Sequence, residues 1–98
     1  MNKRANKYKM NLNLVSLANG EKPELEKAIE LEFDNHDEIF GLIERSKEKN
    51  LFDNPQQSVE FTIGLKLFSE VMLKNRNHPL FEAFAPAFRD FMKKLKSM

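Results

Sequence analysis

The stretch Lys7-Tyr8-Lys9-Met10-Asn11-Leu12-Asn13-Leu14-Val15 decides the fold. Tyr8, Met10, Leu12 and Leu14 alternate with Lys7, Lys9, Asn11 and Asn13. A period of two is that of a strand with one buried face. Asn19-Gly20 follows, the pair favoured in a two-residue type I′ turn because both residues tolerate positive φ. In the next run Leu25, Ile29, Leu31 and Phe33 fall on one side, with Lys27 interrupting. Glu24, Glu26, Glu30, Glu32 and Asp34 fall on the other. Together these runs predict an antiparallel hairpin. With Asn19-Gly20 as the loop, Met10 lies opposite Ile29, Tyr8 opposite Leu31 and Leu14 opposite Leu25. The same register sets Lys9 against Glu30 and Lys7 against Glu32, and opposite charges across strands are mildly stabilising. Pro23 makes the first rungs irregular.

Beyond Asp34 the period changes to that of a helix. Asn35 is suited to an N-cap, with Glu38 three residues on as in a capping box. Ile39, Phe40, Leu42 and Ile43 form an apolar stripe, which predicts a helix over 36–49 with Asn50 as a left-handed C-cap. Asn54 and Pro55 open the next helix, as cap and first-turn proline. Val59–Leu73 is its broad apolar body: Phe61, Gly64, Leu65, Phe68, Val71 and Met72 share one face, and Val59, Ile63 and Leu67 widen it. A mid-helix Gly costs about 1 kcal/mol relative to Ala, so Gly64 predicts close approach of a neighbouring backbone. Asn77 or His78 caps a short helix over 79–84 that begins at Pro79. Pro86 interrupts it, and Phe88, Phe91, Met92 and Leu95 mark a last helix reaching about Lys96.

The reading is an α+β protein: an N-terminal hairpin followed by three to four helices packed on one face, in one domain spanning residues 1–98. Residues 1–6 are expected to be flexible. A two-stranded sheet is marginal in isolation, and no third strand is evident. The open edges are therefore expected to be completed by a second copy of the chain.

Composition narrows function chiefly by exclusion. The chain contains no Cys, which removes disulfides, thiolate metal sites and cysteine nucleophiles and fits a cytoplasmic location. Neither a signal-peptide core nor an apolar run of membrane-spanning length is present in the sequence. Nine Phe against one Tyr and no Trp point to rings that fill a core. Net charge is +1 but unevenly laid out. Lys3, Arg4, Lys7 and Lys9 cluster at the start, residues 21–38 are strongly acidic, and the last residues are basic again.

Lys-Tyr-Lys-Met near the start, Asn35-His36-Asp37-Glu38-Ile39-Phe40, Gly64 to Leu73, and His78-Pro79-Leu80-Phe81 through Pro86-Ala87-Phe88 resemble a bacterial family. That family of small single-domain proteins is catalogued only as a domain of unknown function. The resemblance covers nearly the whole chain and implies a one-domain cytoplasmic protein. It carries no activity and no catalytic residues.

The residues themselves offer few chemical candidates. His36, Asp37 and Glu38 diverge by 100° per residue on a helix and suit capping better than a metal. Ser69 and Glu70 are helix neighbours that do not face each other, and Glu70 is more simply an ion-pair partner of Lys66 or Lys74. No phosphate loop or dinucleotide fingerprint is present, so no cofactor, metal or catalytic residue is assigned. The favoured function is a non-catalytic module that binds a protein or itself. Two features carry it: the hairpin edge, and a Phe-rich break where Arg76, His78, Phe81 and Phe84 are the candidate partner contacts. The alternative is weak nucleic-acid binding through Lys3, Arg4, Lys93, Lys94 and Lys96, opposed by the neutral total and the acidic second strand. An enzyme whose site is assembled from distant residues is the third reading.

Overall fold

The computed structural model describes residues 4–98. Its elements are β1 (Asn6–Asn13), β2 (Ala28–Asn35), α1 (Ile39–Lys49), α2 (Pro55–Lys74), α3 (Pro79–Glu82) and α4 (Ala85–Ser97). This is the expected α+β order of a hairpin followed by helices. The chain divides into two compact units, the hairpin up to Asp37 and the helices from Glu38 onward. The expectation for residues 1–6 falls partly outside the described residues, and Asn6 already opens β1.

The hairpin is antiparallel, but its register differs from the expected one. Tyr8 pairs with Phe33, Met10 with Leu31 and Leu12 with Ile29; Lys7 faces Asp34 and Lys9 faces Glu32. The shift is two residues, so every side chain keeps its face. Asn19-Gly20 does turn the chain, with Gly20 at φ 88°, but inside a connection that runs over residues 14–27. Two bonds close that connection on itself, Leu17 N–H to the Glu21 carbonyl at 2.7 Å and Gly20 N–H to the Leu17 carbonyl at 2.9 Å. Leu14 N–H donates to the Lys27 carbonyl at 3.0 Å and extends the ladder by one pair.

The observed register brings Tyr8 onto Phe33, with ring centroids 5.3 Å apart and nearly parallel. At the open end, the Tyr8 hydroxyl and Asn6 Nδ2 both donate to the Asp37 carbonyl, at 2.8 and 3.2 Å. Lys7 pairs with Asp34 at 3.6 Å, and Lys9 reaches diagonally to Glu30 at 3.0 Å.

In the helical unit α1 begins later than expected. Asn35 ends β2, buried, and its Oδ1 accepts from Asp37 N–H at 2.9 Å. That bond makes Asn35 part of a turn, and the cap passes to Glu38, whose Oε2 accepts from Gly41 N–H at 2.7 Å. Asn50 closes α1 in the left-handed conformation, as its residue type predicts. Asn54 caps α2 ahead of Pro55, its Oδ1 accepting from Gln56 N–H at 2.9 Å.

Helix α2 packs on α1. Of the apolar face expected on α2, Met72 is buried, but Ser58 and Thr62 take the other buried places. Ser58, Thr62 and Met72 are buried, while Gly64, Phe68 and Val71 are exposed. Small side chains at Ser58 and Thr62 fit a closely packed seam, and Thr62 Oγ1 donates to the Ser58 carbonyl at 2.8 Å, so its burial leaves no orphan hydroxyl. From α1 the seam takes Ile39 and Ile43, whereas Phe40 turns outward. Gly64 has no close neighbour: a Cβ built there meets nothing within 4 Å. The expected backbone approach is absent among the described residues.

Candidate interaction surfaces

Two surfaces follow from this architecture, one in each unit. In the hairpin, Leu14 N–H bonding to Lys27 sets the alternation of the antiparallel ladder. The backbone groups of Lys7, Lys9, Asn11 and Asn13 therefore point away from β2, and those of Ala28, Glu30, Glu32 and Asp34 point away from β1. The sheet has two strands among the described residues, so both rows are open edges. One edge carries lysine and asparagine; the other carries three acids. Next to them Leu12 and Ile29 are 65% and 63% exposed. Both are apolar side chains exposed on one face of the sheet.

In the helical unit, the break between α2 and α4 gathers aromatic rings. Phe68 is edge-on to Phe81, Phe84 and Phe88 at 6.0, 6.0 and 6.3 Å. None of these rings is fully buried, and Phe84 is 43% exposed. Of the four partner contacts expected here, Phe81 and Arg76 line one groove of about 440 Å³ that also takes Phe88, Arg89 and Met92. Phe84 lies over Phe68 and is not among the residues lining that groove. His78 is occupied locally: its Nδ1 accepts from Leu80 N–H at 3.0 Å and caps α3. Arg89 escaped the sequence reading because it looks like an ordinary helix-surface cation; only the fold brings it beside Arg76.

The basic residues weighed for nucleic acid divide among several places. Lys3 lies outside the described residues. Arg4 sits beside Asn6 and His36 in the hairpin unit. On α4, Lys93 and Lys96 border the groove of Arg76, whereas Lys94 lies beside Phe91 and Met98. The α4 cations thus occupy two sides of their own helix.

The remaining chemical candidates are absorbed by structure. The Asp37 carbonyl anchors Tyr8, Glu38 caps α1, and Glu70 pairs with Lys74 at 3.9 Å. Ser69 Oγ turns to the Lys66 carbonyl of its own helix. Among the described residues no cluster of three or more His, Cys, Asp or Glu could hold a metal. No helix among them is long and apolar enough to cross a membrane.

Comparison with known proteins identifies the family and the fold. A domain of unknown function with solved structure, DUF3861, matches residues 6–97. The crystal structure of a protein of unknown function from Pectobacterium atrosepticum SCRI1043, solved at 2.20 Å, is 38% identical. The match covers 97% of this chain and 100% of that one, with a TM-score of 0.82. No curated protein matches. With nearly its whole length matched, the chain belongs to the DUF3861 family.

Proposed function

We propose that this protein is a non-catalytic interaction module that binds a second copy of itself through the outer edge of β1. The observation that carries the reading is the composition of the two open edges. Paired antiparallel over its full length with the same strand of another copy, β1 sets Lys7 against Asn13 and Lys9 against Asn11. No cation then opposes a cation. On the other face Tyr8 meets Leu12 and Met10 meets Met10, which makes one apolar surface across four strands. The same operation on β2 sets Glu30 against Glu32 and Ala28 against Asp34. Like charges directly opposed across strands are destabilising, so β2 rejects its own copy. A contact of β1 with β2 of another copy would match charge, but it is head-to-tail and builds a ring or an open chain of copies, with a free β1 edge carried from copy to copy.

Light scattering over a concentration series, with strand-specific proline variants, tests this. Asn11 and Glu32 both point their N–H outward, so proline at either removes an edge donor without removing a bond within the hairpin. The wild type and Glu32→Pro are expected at twice the 11.5 kDa chain mass, and Asn11→Pro at the single mass. A wild type that stays monomeric at high concentration refutes the proposal. So does an Asn11→Pro variant that remains dimeric, or a wild type that grows into larger species.

A further inference from the structure

A cleft of about 250 Å³, open to solvent on one side, lies among α1, α2 and α4. Its walls are apolar: Leu42, Leu51, Phe61, Leu65, Met92 and Leu95. On the α1 side Leu42, Arg45, Ser46 and Lys49 follow i, i+3, i+4, i+7 spacing, so one helix face presents an apolar floor, a hydroxyl and two cations together. Lys66 and Lys96 add two more cations from α2 and α4. No acid is found among the described residues that line it.

A second observation singles the cavity out. Ser46 Oγ is the one buried side-chain oxygen or nitrogen among the described residues without a hydrogen-bond partner. Buried hydroxyls are ordinarily satisfied, because leaving one unpaired forfeits its hydration with no return. Thr62, across the cavity on α2, shows the usual solution, bonding within its helix. Ser46 does not take it.

We infer that this cleft binds a medium-chain carboxylate, its apolar tail laid among the three helices and its anionic head at Ser46, Arg45 and Lys49. A pocket with apolar walls and a few convergent polar groups is the usual form of a small-molecule site. The size follows from volume: an apolar cavity of about 150 Å³ holds the six carbons of benzene, so this one holds about ten. The sign of the head group follows from the lining. A cationic or neutral amphiphile gains nothing from Arg45 and Lys49, whereas a carboxylate accepts from the guanidinium, the ammonium and the serine hydroxyl.

The test is calorimetric titration of the full-length chain with sodium decanoate, and with decyltrimethylammonium as the same tail bearing the opposite charge. Decanoate is expected to bind one per chain and at least tenfold tighter. Amide shifts in NMR spectra should centre on Ser46, Leu65 and Leu95. Arg45→Gln with Lys49→Gln, at two exposed positions, should weaken decanoate at least tenfold with the fold intact. Ser46→Leu should fill the space and abolish binding, its helical content checked by circular dichroism. Equal affinity for the two amphiphiles overturns the inference. So do unchanged binding in the double variant, shifts confined to the hairpin, or no binding.

Discussion

Replacing Gly64 by Ala should stabilise the helical unit by about 1 kcal/mol. Gly64 lies in the middle of α2 and is exposed, and an added Cβ meets nothing within 4 Å. The methyl group therefore costs no steric strain, while the unfolded chain loses the extra freedom of glycine. With a urea m-value of about 1–2 kcal/mol/M for a chain of this size, the midpoint should rise by about 0.5–1 M with the slope unchanged. Urea titration of wild type and variant at the same protein concentration, followed by circular dichroism at 222 nm, reads this directly. Equal concentration matters because association adds its own stabilisation. An unchanged or lowered midpoint would refute the reasoning. It would mean that the exposed face of α2 meets another chain closely enough to exclude a methyl group.

Two further outcomes test the seam and the cap. Ser58→Leu forces a branched side chain into the 1%-exposed position between α1 and α2, and overpacking of that kind costs about 1–3 kcal/mol. Thermal unfolding should shift down by on the order of 10 °C. Asn54→Ala removes the acceptor of Gln56 N–H at the start of α2 and should cost about 1 kcal/mol by urea titration. Asn54→Asp, which keeps an acceptor, should restore it.

The element order was legible in the sequence because period and punctuation agreed. The alternation from Lys7 to Leu14, the caps at Asn50 and Asn54 and the proline breaks each named a boundary that the fold keeps. The register was not legible, because Asn19-Gly20 has the same turn preference whether it links two strands directly or sits in a longer loop. Slippage by two residues conserved the faces, so no apolar pattern could reveal it; the Tyr8–Phe33 stack, the Lys7–Asp34 pair and the Leu14–Lys27 bond belong to the observed pairing. The buried face of α2 was missed for a different reason. Apolarity pointed to Phe61, Gly64 and Phe68, but a close helix seam selects small side chains, and Thr62 satisfies its hydroxyl internally. Arg76, His78, Phe81 and Phe84 were named from the break in the pattern; the fold puts Arg76 and Phe81 on one groove and turns His78 to cap α3. The cavity at Ser46 was invisible: the α1 residues that line it have ordinary helical spacing, and only the fold brings residues of α2 and α4 against them.

The acid row along β2 has a consequence for how this protein behaves when crowded. In the proposed dimer the strands left at the margins would be the two copies of β2, each of which would set acid against acid with its like. Such a sheet would be sterile, with a site of initiation and none of extension. Changing Glu30 and Glu32 to lysine would make the margins of one molecule attractive to the unmodified margins of another. Polymer growth on mixing that variant with the unmodified protein, each inert alone, would then depend on two side chains at the edge of an eight-residue strand.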